Sequence, residues 1–428
     1  MSTPQSSGRA RGGTLGVLRN RTYARLFTAQ IVALVGTGLL TVALGLLAYD
    51  LAGNAAGAVL GTALAIKMFA YVAVAPAISA LAHRVPRRTL MVGSDIVRGG
   101  IAMLLPFVGQ TWQIYVLIFV LQAASATFTP TFQSVIPTIL VEEEDYTRGL
   151  SLSRLAYDME SLLSPVLAAA LLSVMTYNHL FIGTVVGFAA SATLILSTRL
   201  TAVPVDTRAE SFWRRATSGI QVMFAKPVLR ALLALNMVVA AATSLVVVNS
   251  VIYVREVLHA QSSALAILLA CYGGGSMVVA LALPRVLGHV PDRTVMLTGA
   301  VLIPIVLAAT GLLLWLQPGP GAGWAGFVAG WILLGAGTST INTPSARLLR
   351  YESETTELSS VFTAQFSLSH ACFLVTYLLA GWVGVKAGQP VAAVALAALA
   401  AVAAVLAART WPAARASVTA KSDVSLAA

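Results

Sequence analysis

The chain carries Val-Pro-Arg-Arg-Thr-Leu-Met at residues 85–91 and a close copy, Val-Pro-Asp-Arg-Thr-Val-Met, at residues 290–296. Five of the seven positions are identical, and the offset of 205 residues is nearly half of the 428-residue chain. Each copy follows a long apolar run. Two shorter matches keep similar offsets: Thr129-Pro130 with Thr343-Pro344, and Leu150-Ser151 with Leu358-Ser359. Together these matches predict a duplicated unit of about half the chain.

The composition indicates that the chain is folded in lipid. Hydrophobic residues make up 58% of the sequence and charged residues 10%, whereas a typical soluble domain carries about 25% charged residues. A membrane-spanning helix needs about 20 apolar residues. We predict an all-α membrane protein with about twelve transmembrane helices in two pseudo-symmetric six-helix bundles. The spans lie near residues 26–49, 58–82, 90–109, 113–139, 150–175, 180–198, 229–254, 262–284, 294–316, 323–341, 358–385 and 390–408.

The longest polar interruption, Thr201 to Lys226, divides the chain. It separates a first bundle at 26–200 from a second at 228–409. Around them we place a tail at 1–25, a linker at 201–227 and a tail at 410–428. The segment from Phe212 to Phe224 is expected to form a short interfacial helix. Residues 1–13 are polar and contain no apolar core, so the first span is expected to act as the insertion signal.

The distribution of basic residues predicts the orientation. With the N-terminus inside, 22 of the 27 Lys and Arg residues fall on the cytoplasmic side, and only Arg255 and Lys386 fall outside. This bias predicts a multi-pass protein of the cell (inner) membrane with both termini cytoplasmic. It also accounts for the net charge of +11. No Arg/Lys run alternates with aromatic residues as in a nucleic-acid groove, so nucleic acid is not an expected partner.

The loop after span two resembles a family motif. Residues 77–88 read Ala-Ile-Ser-Ala-Leu-Ala-His-Arg-Val-Pro-Arg-Arg, which resembles the Gly-x-Leu-Ala-Asp-Arg-x-Gly-Arg-Arg loop of the major facilitator superfamily. Arg84, Arg87 and Arg88 match, while His83 replaces the Asp. The resemblance implies the major facilitator fold and a cytoplasmic gate at these arginines.

Asp95 and Arg98 in span three are three residues apart and can pair on one helix face. They form either a structural ion pair beside this loop or part of the gate, with Asp95 serving in place of the acid missing at His83.

Other segments resemble export members of the family. Residues 66–68, 128–133 and 151–158 are similar to the nickel-resistance branch, which neighbours siderophore and macrolide exporters. Ser-Pro-Val-Leu-Ala at 164–168 keeps only the Pro of the export motif, and span four lacks the Arg found in many proton-coupled drug exporters. The resemblance implies a secondary-active transporter that exports a small molecule by alternating access, with protons as the coupling ion.

Two alternatives remain. The first is a divalent metal exporter of the nickel type, although the five His and two Cys show no ligand spacing and residues 413–428 contain no His. The second, of a different class, is an integral membrane enzyme. The sequence has no nucleophile–base pattern, metal motif or phosphate loop, so neither catalytic residues nor a cofactor is predicted.

Charged residues inside spans cost about 2.5–3.5 kcal/mol each on insertion scales and are usually paired or functional. Lys67, Asp158 and His370 come near the midplane by helix rise, where transporter sites lie. Arg154 and Asp158 are four residues apart and form either a self-neutralising pair or part of the site. Glu160 points nearly opposite to Asp158. We predict that Lys67, Arg154, Asp158, Glu160 and His370 line a central cavity and that Asp158 or Glu160 carries the coupling proton.

Overall fold

The structure, a computed structural model, describes residues 14–82, 85–198, 212–287, 289–317, 319–354 and 358–412. Twelve long helices lie within these ranges, each at the position of one predicted span. A shorter helix, α7, lies in the linker. In chain order the helices are α1 Arg21–Ala52, α2 Ala56–Ala82, α3 Arg87–Leu104, α4 Thr111–Ile139, α5 Glu143–Leu172, α6 Asn178–Leu196, α7 Phe212–Ala225, α8 Pro227–Val257, α9 Ser262–Val286, α10 Asp292–Leu316, α11 Pro320–Glu352, α12 Leu358–Lys386 and α13 Gln389–Thr410.

Within the described residues, ten stretches are long and apolar enough to cross a membrane. One of them, Arg21–Val72, takes in α1, a short 3-10 turn and most of α2. The charged helix α5 is not among the ten. Both copies of the sequence repeat have the same local structure, because Pro86 and Pro291 each lie directly before a helix that begins at the next residue. A proline is tolerated there since its missing N–H would have no partner inside the helix.

The ends of two helices differ from the sequence prediction. The fifth span was predicted to begin near residue 150, but α5 already begins at Glu143, within the acidic run at residues 142–145. Acidic side chains in a first turn stabilise the positive end of the helix dipole, which explains the early start. The helix α11 extends to Glu352, about three turns beyond the predicted span, which ends at residue 341.

The helices form two halves, α1–α6 and α8–α13. The main contacts between the halves run between α2 and α12 and between α5 and α9. The linker helix α7 confirms the helix expected at Phe212–Phe224. It packs against α12 and touches α2, and a Cβ on Gly219 would lie 1.9 Å from the Ser360 carbonyl oxygen. The linker helix is therefore held tightly against the second half.

The two ends of the bundle differ in charge. We call one the basic face, where α1 and α3 begin and where Arg25, Arg88 and Arg293 lie. The other is called the opposite face. Asn20 caps α1 at the basic face, since its side-chain oxygen accepts from the backbone N–H of Thr22 (3.1 Å) and Tyr23 (3.2 Å).

The buried core shows where the halves join. One cluster combines residues of the second half with first-half residues that lie near the opposite face, among them 39–48 of α1 and 56–68 of α2. The first-half residues near the basic face, including Tyr23, Met91 and Phe132, form a separate cluster with no member from the second half. Among the described residues, the halves thus share a buried core toward the opposite face, while the first half has a buried core of its own near the basic face.

Candidate functional site

Lys67 and Glu160 lie at the same depth on neighbouring walls of the first half. Lys67 is 11 residues from the start of α2 and Glu160 is 12 residues from the end of α5, which places both roughly 16–18 Å from the opposite face. Their charges act on each other. Both side chains are only partly buried. Among the described residues neither one makes a hydrogen bond, so their polar atoms are available to a solute in the space between the halves.

Glu160 owes its position to a close contact between α5 and α1. A Cβ added to Gly38 on α1 would lie 2.9 Å from the Glu160 carboxylate oxygen and 2.0 Å from the Ser164 Cβ. Only glycine leaves room for both side chains. Real Cβ atoms essentially never come under 3.0 Å of another heavy atom, so a larger residue at position 38 would displace the carboxylate.

His370 of the second half packs against aromatic rings close to Lys67. Its ring lies 5.5 Å from the Tyr71 ring and 4.0 Å from the Phe366 ring, and the charge of Lys67 acts on it. Tyr71 lies one turn after Lys67 on α2, so the His370 ring packs on the same part of α2, and a direct approach of Lys67 to His370 stays a prediction. The His370 Nδ1 lies 2.7 Å from the Phe366 carbonyl oxygen. This contact assigns the ring proton to Nδ1, so that Nε2 is left as an acceptor.

Two of the five predicted cavity residues are described only in part. The backbones of Arg154 and Asp158 belong to α5, but their side chains lie outside the described residues. Lys67, Glu160 and His370 are described, and that they line a central cavity with Arg154 and Asp158 stays a prediction. Of the two carboxylates proposed as the partner of Lys67, Glu160 is the one whose side chain is described.

The predicted gate residues divide into separate groups. Asp95 and Arg98 form a buried ion pair, and the Arg98 guanidinium lies 4.5 Å from the ring centres of both Phe128 and Phe188. Both residues of the pair lie on α3, and Arg98 packs against rings of α4 and α6 inside the first half. Cation–π contact with two rings helps to offset the cost of burying Arg98.

The arginines of the loop after α2 lie at the basic face. Arg88 donates to the Leu196 carbonyl at the end of α6, where the exposed carbonyls attract a cation. Arg87 begins α3. Arg84 and His83 lie outside the described residues.

The facing wall of the second half is polar but uncharged. Asn236 and Gln365 exchange two side-chain hydrogen bonds of 3.1 and 3.0 Å between α8 and α12. The Thr243 and Tyr272 hydroxyls lie 2.9 Å apart. No group of three His, Cys, Asp or Glu residues that could hold a metal ion occurs in the described part of the chain.

Sequence reasoning missed two residues at this site. Tyr71 lies one turn after Lys67 and contacts His370; its i, i+4 spacing from the lysine was the available signal. Gly38 gave no signal, because its role depends on a contact between α1 and α5 that only the fold creates.

Comparisons with known proteins place the chain in a family. The sequence profile described as Major Facilitator Superfamily matches residues 26–319. Among curated proteins, macrolide efflux protein A of Streptococcus pyogenes is 24% identical over 208 residues, 47% of this chain and 51% of that protein. Macrolide efflux protein A of Enterococcus faecalis is 26% identical over 160 residues, 36% of this chain and 49% of that protein. The chain thus spans about half the length of the curated relatives it matches.

Solved structures share the fold. A point mutant of the nucleoside transporter NupG superposes with a TM-score of 0.73 at 12% identity, covering 91% of this chain and all (100%) of that one. A bacterial homologue of the lysosomal transporter Spinster gives 0.70 at 13% identity, with 92% and 97% covered. A POT family transporter gives 0.70 at 12% identity, with 90% and 95% covered. The chain belongs to the Major Facilitator Superfamily and has the fold of multi-pass membrane transporters.

Proposed function

We propose that the protein is a proton-coupled exporter of the cell (inner) membrane that works by alternating access, with its basic face and both termini in the cytoplasm. The excess of basic residues at that face supports the orientation. The division into bundles at 26–200 and 228–409, the linker at 201–227 and the tails at 1–25 and 410–428 belongs to the same proposal. The first half has a buried core of its own near the basic face, which supports an opening on that side.

The observation that carries the proposal is the placement of Lys67 on α2 and Glu160 on α5, two opposite charges at the same depth beside the space between the halves. A carboxylate next to a lysine holds it by charge attraction, and protonation of the carboxylate removes that attraction. Proton binding at Glu160 therefore releases Lys67, and release of the proton restores the pair. His370, on the second half, lies near enough for this change in charge to alter the electrostatic potential at its ring.

The other predicted site residues have roles in the same proposal. Arg154 and Asp158, on α5, are proposed to complete the cavity, with Asp158 as the second candidate proton carrier. Arg84, Arg87 and Arg88 are proposed as the cytoplasmic gate. The buried pair of Asp95 and Arg98 is proposed to brace that gate rather than to open and close it, because both residues pack inside the first half.

The proposed substrate is a bulky organic molecule of the macrolide kind. Two curated relatives are named macrolide efflux proteins, although the match covers about half of each. The aromatic group of Tyr71, Phe366 and His370 beside Lys67 and Glu160 offers apolar surface next to charge, which suits a large molecule with a charged group. The alternative, export of a divalent metal ion, would need a set of ligands that the described residues do not supply.

The test is transport by purified protein in liposomes with an imposed pH gradient. A pH dye inside the vesicles reports proton movement when erythromycin, a nickel salt or a siderophore is added. We expect Glu160→Gln to lose pH-driven accumulation at least about tenfold and to keep substrate exchange without a gradient, because an amide cannot release a proton. Glu142→Gln, which alters an exposed acid at the basic face, should behave like the unmodified protein.

The outcomes separate the possibilities. If Glu160→Gln keeps pH-driven transport and Asp158→Asn loses it, the proton carrier is Asp158. If both variants keep it, proton coupling through this cavity is wrong. Proton movement with nickel alone would favour the metal alternative.

A further inference from the structure

We propose that a latch of Tyr49 and Asn54 from the first half with Arg255 and Glu256 from the second half holds the opposite face closed. We call these four residues the opposite-face latch. The inference concerns how the resting state is held. It does not depend on the substrate, the coupling ion or the orientation in the membrane.

The latch joins the end of α1 to the end of α8. The Tyr49 hydroxyl donates to the Glu256 carboxylate, and the Asn54 amide lies 3.2 Å from the same carboxylate. The Arg255 guanidinium lies 5.7 Å from the centre of the Tyr49 ring. Neighbouring residues of the second half thus approach one tyrosine of the first half, one through its hydroxyl and one through its ring face.

An irregular turn places these two residues. Residues Tyr253–Val257 form a π turn, in which the backbone hydrogen bonds run from i to i+5 and the turn is wider than in an α-helix. Such turns inside α-helices frequently occur at functional sites. Arg255 is held in addition by its hydrogen bond of 2.6 Å to the Ser262 hydroxyl at the start of α9. The second-half side of the latch is therefore a preformed surface that Tyr49 joins.

Close packing behind the latch brings the halves within its reach. A Cβ added to Gly61 on α2 would lie 2.5 Å from the Tyr377 carbonyl oxygen on α12, and one added to Gly381 would lie 2.3 Å from the Gly57 carbonyl oxygen. The Trp382 indole N–H donates to the Thr62 hydroxyl at 3.1 Å. Small residues that let two helices approach this closely are typical of helix contacts in membranes.

The surroundings of the opposite-face latch allow its hydrogen bonds to break and form again. A cavity of about 490 Å³ lies beside it between the halves, lined by polar and charged side chains that include Asp50, Tyr177, Arg255 and Gln261. Glu256 is exposed. Water can therefore replace each hydrogen bond as it breaks, so the latch opens without leaving a buried polar group unpaired. The carrier needs this property, because the contact must form and break once in each transport cycle.

The distance between the halves at the opposite face tests the latch. Cysteines at Gly109 and Gly321 would carry spin labels, one on each half, because a side chain added at either position meets nothing within 4 Å. Cys271 and Cys372 would be replaced by serine. The full chain in lipid nanodiscs is then measured by pulsed electron resonance, which gives the populations of the closed and open distances. Transport plays no part in this readout, so its outcome is separate from that of the proposed function.

We expect Glu256→Gln and Tyr49→Phe each to raise the ratio of open to closed opposite face, by up to about tenfold for a hydrogen bond to a charged group. Glu142→Gln at the basic face should leave the ratio unchanged. Gly61→Leu should open the same face by steric wedging and so calibrate the open distance. If Gly61→Leu opens the face while Glu256→Gln and Tyr49→Phe do not, the helix contact alone closes it and the latch proposal is wrong. Unchanged populations in all three variants would also overturn it.

Discussion

The two halves of the transporter derive from one repeated pattern but satisfy their buried polar groups differently. The first half uses charge: the buried pair of Asp95 and Arg98, and Lys67 facing Glu160. The second half uses neutral groups at similar places, such as the reciprocal amides of Asn236 and Gln365. The difference shows that a duplicated sequence sets the arrangement of the helices but not the chemistry of their buried side chains. In the proposed function, the group that binds the proton lies in the first half, while the facing side chains of the second half are neutral.

Breaking the buried ion pair should have the largest effect. Arg98→Leu leaves the Asp95 carboxylate buried without its partner, and we expect it to lower the free energy of unfolding by about 3–5 kcal/mol. Both side chains are nearly inaccessible, at 6% and 0% exposure, so solvent does little to relieve the loss. Unfolding by denaturant in mixed micelles measures the change.

The double variant Asp95→Leu with Arg98→Leu is the control. Removing both charges should recover most of the stability, because no unpaired charge remains. If the double variant is as unstable as Arg98→Leu, the loss arises from packing against Phe128 and Phe188 and not from charge.

Packing in the second half should give the next largest effect. A Cβ on Gly275 of α9 would lie 2.1 Å from the Ile332 carbonyl oxygen of α11, whereas one on its neighbour Gly274 would meet nothing within 4 Å. We expect Gly275→Ala to destabilise the protein by about 1–3 kcal/mol, as overpacking does, and Gly274→Ala to be neutral or slightly stabilising. Thermal unfolding of both variants measures the difference in stability. Equal effects would mean that the contact between Gly275 and the Ile332 backbone is not tight.

The amide pair should give the smallest effect. Asn236→Ala removes two hydrogen bonds between α8 and α12, and such bonds in membrane proteins contribute about 0.6 kcal/mol on average and about 1.7 kcal/mol at most. The same unfolding assay should therefore show a loss several times smaller than that of Arg98→Leu. A loss as large as that of the ion pair would remove the contrast between a charged half and a neutral half.

Much of the fold could be predicted from the sequence because membrane helices leave a strong local signal. A run of about 20 apolar residues marks each span, and the repeated Val-Pro motif marks equivalent helix starts at residues 87 and 292. The helix ends were less predictable where charged residues were taken to lie outside the helix. The acidic run that begins α5 is an example, since the same charges stabilise a helix N-terminus.

The candidate site was predictable only in part. A lysine or glutamate in an apolar span is conspicuous, so Lys67 and Glu160 could be selected without a structure. The opposite-face latch could not, because Tyr49 and Glu256 are 207 residues apart and both lie at helix ends, where polar residues are ordinary. Their contact depends on the π turn and on the approach of α2 to α12, neither of which has a local sequence signature.

The placement of Lys67 and Glu160 has a consequence for membrane voltage. With Glu160 ionised the two side chains together are neutral, and with Glu160 protonated they carry one positive charge at about the middle of the electric field. A unit charge crossing a potential of 100 mV changes in energy by about 2.3 kcal/mol. The sequence has no Asp, Glu, Lys or Arg at this depth in the second half. Under the proposed coupling through Glu160, the membrane potential acts on the first half when it carries the proton and assists only the step in which that half moves.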